Sequence, residues 1–248
     1  MSLPEDEVKA PVLFLFAHHD DEIFIATLIR RLTDEHGQVA CAWLTRGGLG
    51  GREREAESHR AVETLGVGRN SLFFFRLPDG KALDYLDEIV NRLTRLLVKL
   101  RIVSVFVPAF EGGHPDHDTA QLAVALSIRL LPGGISLYEF PLYNRYHTRL
   151  FRVGEFIPDA ASTTRWTSMK LRDRLLKRKL SHFFASQRLI LVPLLGLKGG
   201  PMMLHLKGEP FRRVPVGRDY RRRPHAGRLA YEYFTRYRFG QFAEKVRR

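Results

Sequence analysis

Short apolar runs alternate with amphipathic stretches along the first 140 residues. Val12-Leu13-Phe14-Leu15-Phe16 is continuous and apolar, the pattern of a strand buried on both faces, read over 11–16. Residues 22–36 carry apolar positions at helical spacing and stop at Gly37, a natural helix terminus. The pattern repeats: a strand over 38–45, a glycine-rich loop over 47–51 and a helix over 52–65. A strand over 72–77 and the turn Pro78-Asp79-Gly80 come next. Leu83, Leu86, Ile89, Val90, Leu93 and Leu97 then mark one face of a helix over 82–100. A strand over 102–107, a helix over 116–130 and a strand over 135–140 complete the series.

This alternation predicts an α/β fold: a Rossmann-like open, mostly parallel sheet with helices on both faces. Beyond 141 it ends, and prolines interrupt the chain repeatedly. One further helix is expected over 166–187. The chain therefore divides into a core, 1–140, and a C-terminal α+β elaboration of the same domain, 141–248. The elaboration is expected to lie on the substrate side, over the active edge of the sheet. The apolar stretch Leu189–Leu206, interrupted by Lys198-Gly199-Gly200-Pro201, is too broken to span a bilayer and is expected to pack in the core or form a hairpin over the site. A lipid-touching surface is its alternative, together with the basic helix beside it.

Charge sharpens the division. Residues 1–143 hold 15 Lys and Arg against 20 Asp and Glu; residues 144–248 hold 25 against 7. The overall +13 thus comes from the C-terminal part. It points to an anionic substrate or an anionic surface, or simply to a solvated basic face. The lone Cys41 lies in the apolar run Val39–Leu44 and reads as an inert core thiol. The acidic start of the chain lacks a signal-peptide pattern, and no long apolar run spans a membrane, so a cytoplasmic protein is expected.

Two clusters carry the chemistry. Ala17-His18-His19-Asp20-Asp21-Glu22 follows the first strand, and His114-Pro115-Asp116-His117-Asp118 follows the fourth. Charged groups at strand exits are costly unless paired or bound to metal. Ligands in open α/β sheets bind beyond the carboxyl ends of strands, where both clusters lie. Two imidazoles and one carboxylate are a catalytic zinc set, and His18, Asp21 and His117 supply one. Iron(II) accepts the same set. Asp20 is then free to take a proton from the attacking water, and His114 to act as acid or oxyanion stabiliser. The expected reaction is hydrolysis of an amide or ester. Helix capping by Asp20, Asp21 and Asp116 is the plainer alternative for each cluster alone.

The first cluster resembles the AHPDDE signature of the LmbE-like, or PIG-L, family of zinc-dependent N-deacetylases, and His114-Pro115-Asp116-His117 resembles its HPDH motif. Arg54 and Glu57 before Leu65-Gly66-Val67, and Leu77-Pro78-Asp79-Gly80, are similar to the family's intervening elements. The resemblance covers about 11–135 and extends weakly through Ser186-Gln187. It implies zinc on His18, Asp21 and His117, with Asp20 as general base and His114 as acid or electrostatic stabiliser. Glu22 would support the ligand loop, and Asp116 would orient His114 or His117. It also implies removal of an N-acetyl or other acyl group from an amino sugar, commonly N-acetylglucosamine in a larger conjugate. Two departures stand out. His19 replaces the signature proline, and Phe110-Glu111-Gly112-Gly113 lacks the tyrosine that some relatives carry before the second motif. Tyr143 and Tyr146 are candidates to supply that hydroxyl.

Arg46, Arg52 and Asp79 are candidate contacts for a sugar hydroxyl or phosphate, with mobile arginines and a turn-forming aspartate as the alternatives. The glycines match neither a P-loop nor a dinucleotide fingerprint. The expected partner is a small-molecule or glycolipid amino-sugar substrate, of anionic character by charge. Peripheral membrane contact and a homo-oligomer stay open. A competing reading is a nucleic-acid-binding protein on a degenerate enzyme fold. Arg221-Arg222-Arg223 and nearby tyrosines suggest it, but no recognised nucleic-acid motif is present.

Overall fold

A computed structural model describes residues 8–187 and 208–247. The core packing or hairpin expected for Leu189–Leu206, and the lipid contact weighed against it, lie outside the described residues. The core strands are β1 (Val12–Phe16), β2 (Val39–Thr45), β3 (Leu72–Leu77), β4 (Ser104–Pro108) and β5 (Ser136–Phe140). They alternate with α1 (Ala26–His36), α2 (Gly51–Thr64), α3 (Leu86–Lys99) and α4 (Pro115–Arg129). The order β3-β2-β1-β4-β5 is wholly parallel, as the periodicity predicts.

The chain winds outward from β1 to β3, then crosses back to place β4 beside β1. That reversal opens a crevice at the carboxyl ends of β1 and β4, where both acid-histidine clusters emerge. Side chains of β1 alternate between two cores. Leu13 and Leu15 pack toward α3 and α4; Val12, Phe14 and Phe16 pack toward α1 and α2. Cys41 is buried in the second core.

The C-terminal part extends the sheet with antiparallel strands. β9 (Glu209–Arg213) pairs with β5, and β8 (Arg165–Thr167) pairs with β9. A short hairpin, β6 (Tyr143–Asn144) and β7 (Arg152–Val153), follows β5. Helices α5 (Leu171–Ser181), α6 (Tyr231–Phe234) and α7 (Phe239–Arg247) complete the described elements. Leu229 packs on Gly112, and the Ala230 N–H donates to the Gly112 carbonyl at 2.8 Å, so this part reaches the loop behind β4.

The helix expected over 166–187 begins only at Leu171. Trp166 and Thr167 pair with Pro210 and Glu209 instead, because β-favouring side chains found a sheet edge to complete. The Lys170 N–H donates to Asp173 Oδ2 at 2.8 Å and marks the true start. The helix expected from 22 is likewise divided, with a 3₁₀ turn over Asp21–Ile25 before α1.

A buried pair explains that division. Glu209 receives the N–H groups of Thr27 and Leu28, each at 3.0 Å, and so caps α1 from β9. Lys177 of α5 donates to Glu209 at 2.7 Å and to the Phe24 carbonyl at 3.3 Å, with both side chains 2% exposed. Lys177→Met strands a buried carboxylate, and the expected loss is about 3–5 kcal/mol of stability. Chemical denaturation of the two proteins measures it. A change below about 1 kcal/mol would mean water enters and replaces the ammonium.

Candidate functional site

The first cluster owes its shape to the break between β1 and α1. Asp20 sits at φ 111°, ψ −18°, a left-handed conformation costly for any residue but glycine and easiest for Asn and Asp. Its N–H donates to Glu22 Oε2 at 2.9 Å, and its carbonyl accepts from Ile23 at 3.1 Å. Glu22 Oε2 also accepts from Trp43 Nε1 at 3.3 Å. Glu22 thus clamps the loop from behind. Asp21 turns back, and its Oδ2 accepts from the N–H groups of Ala17 and His18, each at 3.0 Å. Its Oδ1 is left to face His117 Nε2 at 3.3 Å.

The second cluster begins α4. Pro115 occupies the first helical position, where no N–H is needed. The cap is His114, not Asp116: the Asp116 N–H donates to His114 Nδ1 at 3.2 Å. An accepting Nδ1 places the His114 proton on Nε2, leaving that atom a donor. Asp116 is spent elsewhere. Its Oδ2 accepts from Gly80 N–H at 2.6 Å and its Oδ1 from Ala82 N–H at 3.0 Å.

The two clusters meet through His18. Its Nδ1 lies 3.0 Å from His117 Nε2, and its Nε2 lies 3.1 Å from Asp116 Oδ2. Asp116 therefore orients His18, where the resemblance implied His114 or His117; its carboxylate stands 3.8 Å from His114. A carboxylate behind a metal-facing imidazole fixes which nitrogen keeps its lone pair. His18, Asp21 and His117 bring one ligand atom each within 4.8 Å of one another. His18, His114 and Asp116 do so as well. The first group fits a divalent cation better, because in the second His114 Nδ1 and both Asp116 oxygens already accept backbone protons.

The local field favours a cation. Burial lowers the proton affinity of His18, but the hydrogen bond to Asp116 and the charges of Asp21 and Asp116 carry its pKa up to about 9. Burial would raise Asp21, yet His117 and His18 bring it down to about 2. Asp20 is raised well above the usual carboxylate range by burial and by Asp21. Burial and His18 depress His114 to about 3, so it is neutral.

His19 turns away from this group. It is 1% exposed, bonds Ser58 Oγ at 2.9 Å and packs on Trp43 and Phe74. The replacement of the signature proline adds a core contact, with burial and Arg54 lowering the His19 pKa to about 4.

Among the arginines, the structure selects one that the spacing around the glycine loop does not single out. Arg46 and Arg52 are exposed, and neither contacts the cluster among the described residues. Arg54, one turn into α2, is buried and lies 3.8 Å from Asp20 and 3.6 Å from Asp79. It also donates to the His19 carbonyl at 2.8 Å. Gly47 permits this: a Cβ there would meet the Arg54 side chain at 2.6 Å. Asp79 accepts from the Gly47 N–H at 3.0 Å and is 30% exposed.

Two more neighbours join from outside the motifs. The Tyr143 ring stands edge-on to His117, with centroids 5.6 Å apart. A Cβ on Gly113 would lie 2.3 Å from the Tyr143 carbonyl, so only glycine lets β6 approach this closely. Tyr146 instead packs on His147 and His225. Asp118 is fully buried, and its Oδ1 accepts from the N–H groups of Glu111 and Gly112 at 3.2 and 3.1 Å, shaping the loop below His114.

Residues 13–127 match the family model described as PIG-L, GlcNAc-PI de-N-acetylase. That segment is similar to the family. Both clusters of the site lie within it. The solved structures similar in fold include the zinc-inhibited form of teicoplanin deacetylase, at 13% identity and TM-score 0.63, over 84% of this chain and 99% of that one. An antimicrobial pseudoaglycone deacetylase is similar at 17% identity and TM-score 0.61, over 84% and 98%. N,N'-diacetylchitobiose deacetylase from Pyrococcus horikoshii is similar at 20% identity and TM-score 0.56, over 82% and 83%. Among curated proteins, none matches the chain. The likeness in fold to these structures thus covers more of the chain than the matched segment. Among the described residues, no helix is long and apolar enough to cross a membrane.

Proposed function

We propose that this protein is a metal-dependent amidohydrolase that removes an N-acetyl or related acyl group from an amino sugar in a larger conjugate. The convergence of His18, Asp21 and His117 within 4.8 Å carries the reading. These residues would hold zinc, with iron(II) the other metal suited to the set. When bound, the metal lowers the pKa of a coordinated water and polarises the amide carbonyl. The deacetylase names of the similar structures support the reaction class.

In this reading Asp20 takes the water proton on a carboxylate oxygen, with Arg54 holding its orientation. His114 Nε2–H donates to the developing oxyanion or the leaving nitrogen. Glu22 keeps the loop in place, and Asp116 keeps His18 Nδ1 turned toward the ligand position. Tyr143 takes the place of the absent tyrosine before the second motif. Tyr143→Phe is expected to lower kcat by about 10²–10³-fold at unchanged metal content, the cost of one oxyanion donor. Unchanged kcat would restrict Tyr143 to packing against His117.

Asp79, with Arg46 and Arg52 on the glycine loop, would meet the sugar or a phosphate on it. The basic stretch 141–248 would face the substrate side and select an anionic conjugate. A cytoplasmic location belongs to the same reading, and a lone buried Cys41 fits a reducing compartment.

The test is metal content of the purified protein, with acetate release from a panel of N-acetylglucosamine derivatives. About one zinc per chain and release from at least one derivative support the reading. Metal without release across uncharged, phosphorylated and lipid-linked derivatives would remove the amino-sugar assignment. No metal uptake from supplied zinc would remove the hydrolase itself.

A further inference from the structure

An apolar face on the C-terminal part is left uncovered by the described residues. Leu150 is 77% exposed, Phe234 66%, Tyr233 45% and Phe151 41%. They come from the loop between β6 and β7 and from α6, brought together by the stack of Phe151 on Phe234, with centroids 5.6 Å apart. Large apolar side chains projecting as a group mark a surface that meets something.

The charge around them is mostly positive, with Glu232 buried and paired to Arg223. The guanidinium groups of Arg145 and Arg228 lie over the Tyr233 ring of α6, 3.8 and 4.3 Å from its centroid. Arg149 and Arg236 are exposed beside Leu150 and Phe234 in the chain. Among the described residues, none of these four arginines pairs with a carboxylate. Arg152 is the exception at the margin, bound to Glu155 at 2.7 Å. An apolar prong within a ring of unneutralised cations matches an anionic interface rather than a neutral one.

The form of the face discriminates among anionic partners. Single-stranded nucleic acid needs open aromatic faces for base stacking. Here the Tyr233 ring is occupied by guanidinium groups, and Phe151 and Phe234 stack on each other. What projects outward is aliphatic Leu150 and phenylalanine hydrocarbon, suited to the boundary between headgroups and acyl chains. The face is also continuous with the crevice: Phe151 contacts Tyr143 edge-on at 5.6 Å, and Tyr143 contacts His117.

We propose that segments 145–151 and 228–236 form a peripheral docking face for an anionic phospholipid bilayer, with Leu150, Phe151 and Phe234 inserting and the arginines meeting lipid phosphates. Docking there would bring the bilayer to the Tyr143 side of the site.

Vesicle flotation of the full chain tests this, using phosphatidylcholine alone and phosphatidylcholine mixed with phosphatidylglycerol. Binding to the mixed vesicles only, weakened by salt, is expected. The F151S/F234S variant alters exposed side chains, so its circular dichroism and melting temperature should match the parent. Its partitioning is expected to fall by about tenfold or more. R149E/R236E should give a similar loss through charge. Equal flotation of parent and F151S/F234S, or none with anionic vesicles, would overturn the proposal. So would retention of an oligonucleotide that depends on Phe151 and Phe234 in place of vesicle binding.

Discussion

His117→Ala is expected to leave the protein folded but unable to retain a metal ion. His117 Nε2 faces both His18 Nδ1 at 3.0 Å and Asp21 Oδ1 at 3.3 Å, so its removal dissolves the point at which the three proposed ligands meet. Loss of a supporting residue around a metal costs roughly 10–100-fold in affinity, and loss of a ligand should exceed that. Competition with a zinc chelator gives the affinity, elemental analysis the content, and circular dichroism the fold. His114→Ala is the matched control, because His114 belongs to the second candidate group alone. If His114→Ala loses the metal and His117→Ala keeps it, the ligands are His18, His114 and Asp116, and the roles assigned above exchange.

Asp20→Asn separates proton transfer from metal binding. Asparagine is isosteric and tolerates the left-handed conformation at φ 111°, so the loop between His18 and Asp21 should survive. It cannot accept the water proton as a carboxylate does. The expected result is a fall in kcat of about 10²–10⁴-fold with metal content unchanged. Steady-state kinetics beside elemental analysis decides it. A variant that keeps both metal and kcat would place the base elsewhere. A variant that loses both would make Asp20 a determinant of loop shape instead.

The parallel core was legible because its signals are local. Five apolar runs, helical spacing between them and glycines at the helix ends put the strands within two residues of their observed bounds. The two clusters were legible for a related reason: each is contiguous, and each follows a strand, so the fold class alone carried both to one edge of the sheet. The roles within them were less so. Spacing does not tell that Asp116 faces His18, because that contact spans 98 residues and depends on β4 lying beside β1. Arg54 resembled a family position, but its approach to Asp20 and Asp79 needs α2 to pack over the glycine loop.

The C-terminal part shows the limit from the other side. Residues 166–187 have apolar side chains at helical spacing, yet Arg165–Thr167 pair with β9, because an open sheet edge outweighed helical propensity there. By itself the sequence determined the α/β alternation, the two polar clusters, the available ligand types and the basic charge of the last hundred residues. These follow from periodicity and residue chemistry, which act over a turn or a strand. Only the tertiary structure decided which imidazole nitrogen faces which carboxylate, which arginine enters the site, and how Lys177 and Glu209 close on the start of α1. Those contacts join residues brought together by strand order and burial, and a buried charge takes whichever partner the packing puts within reach.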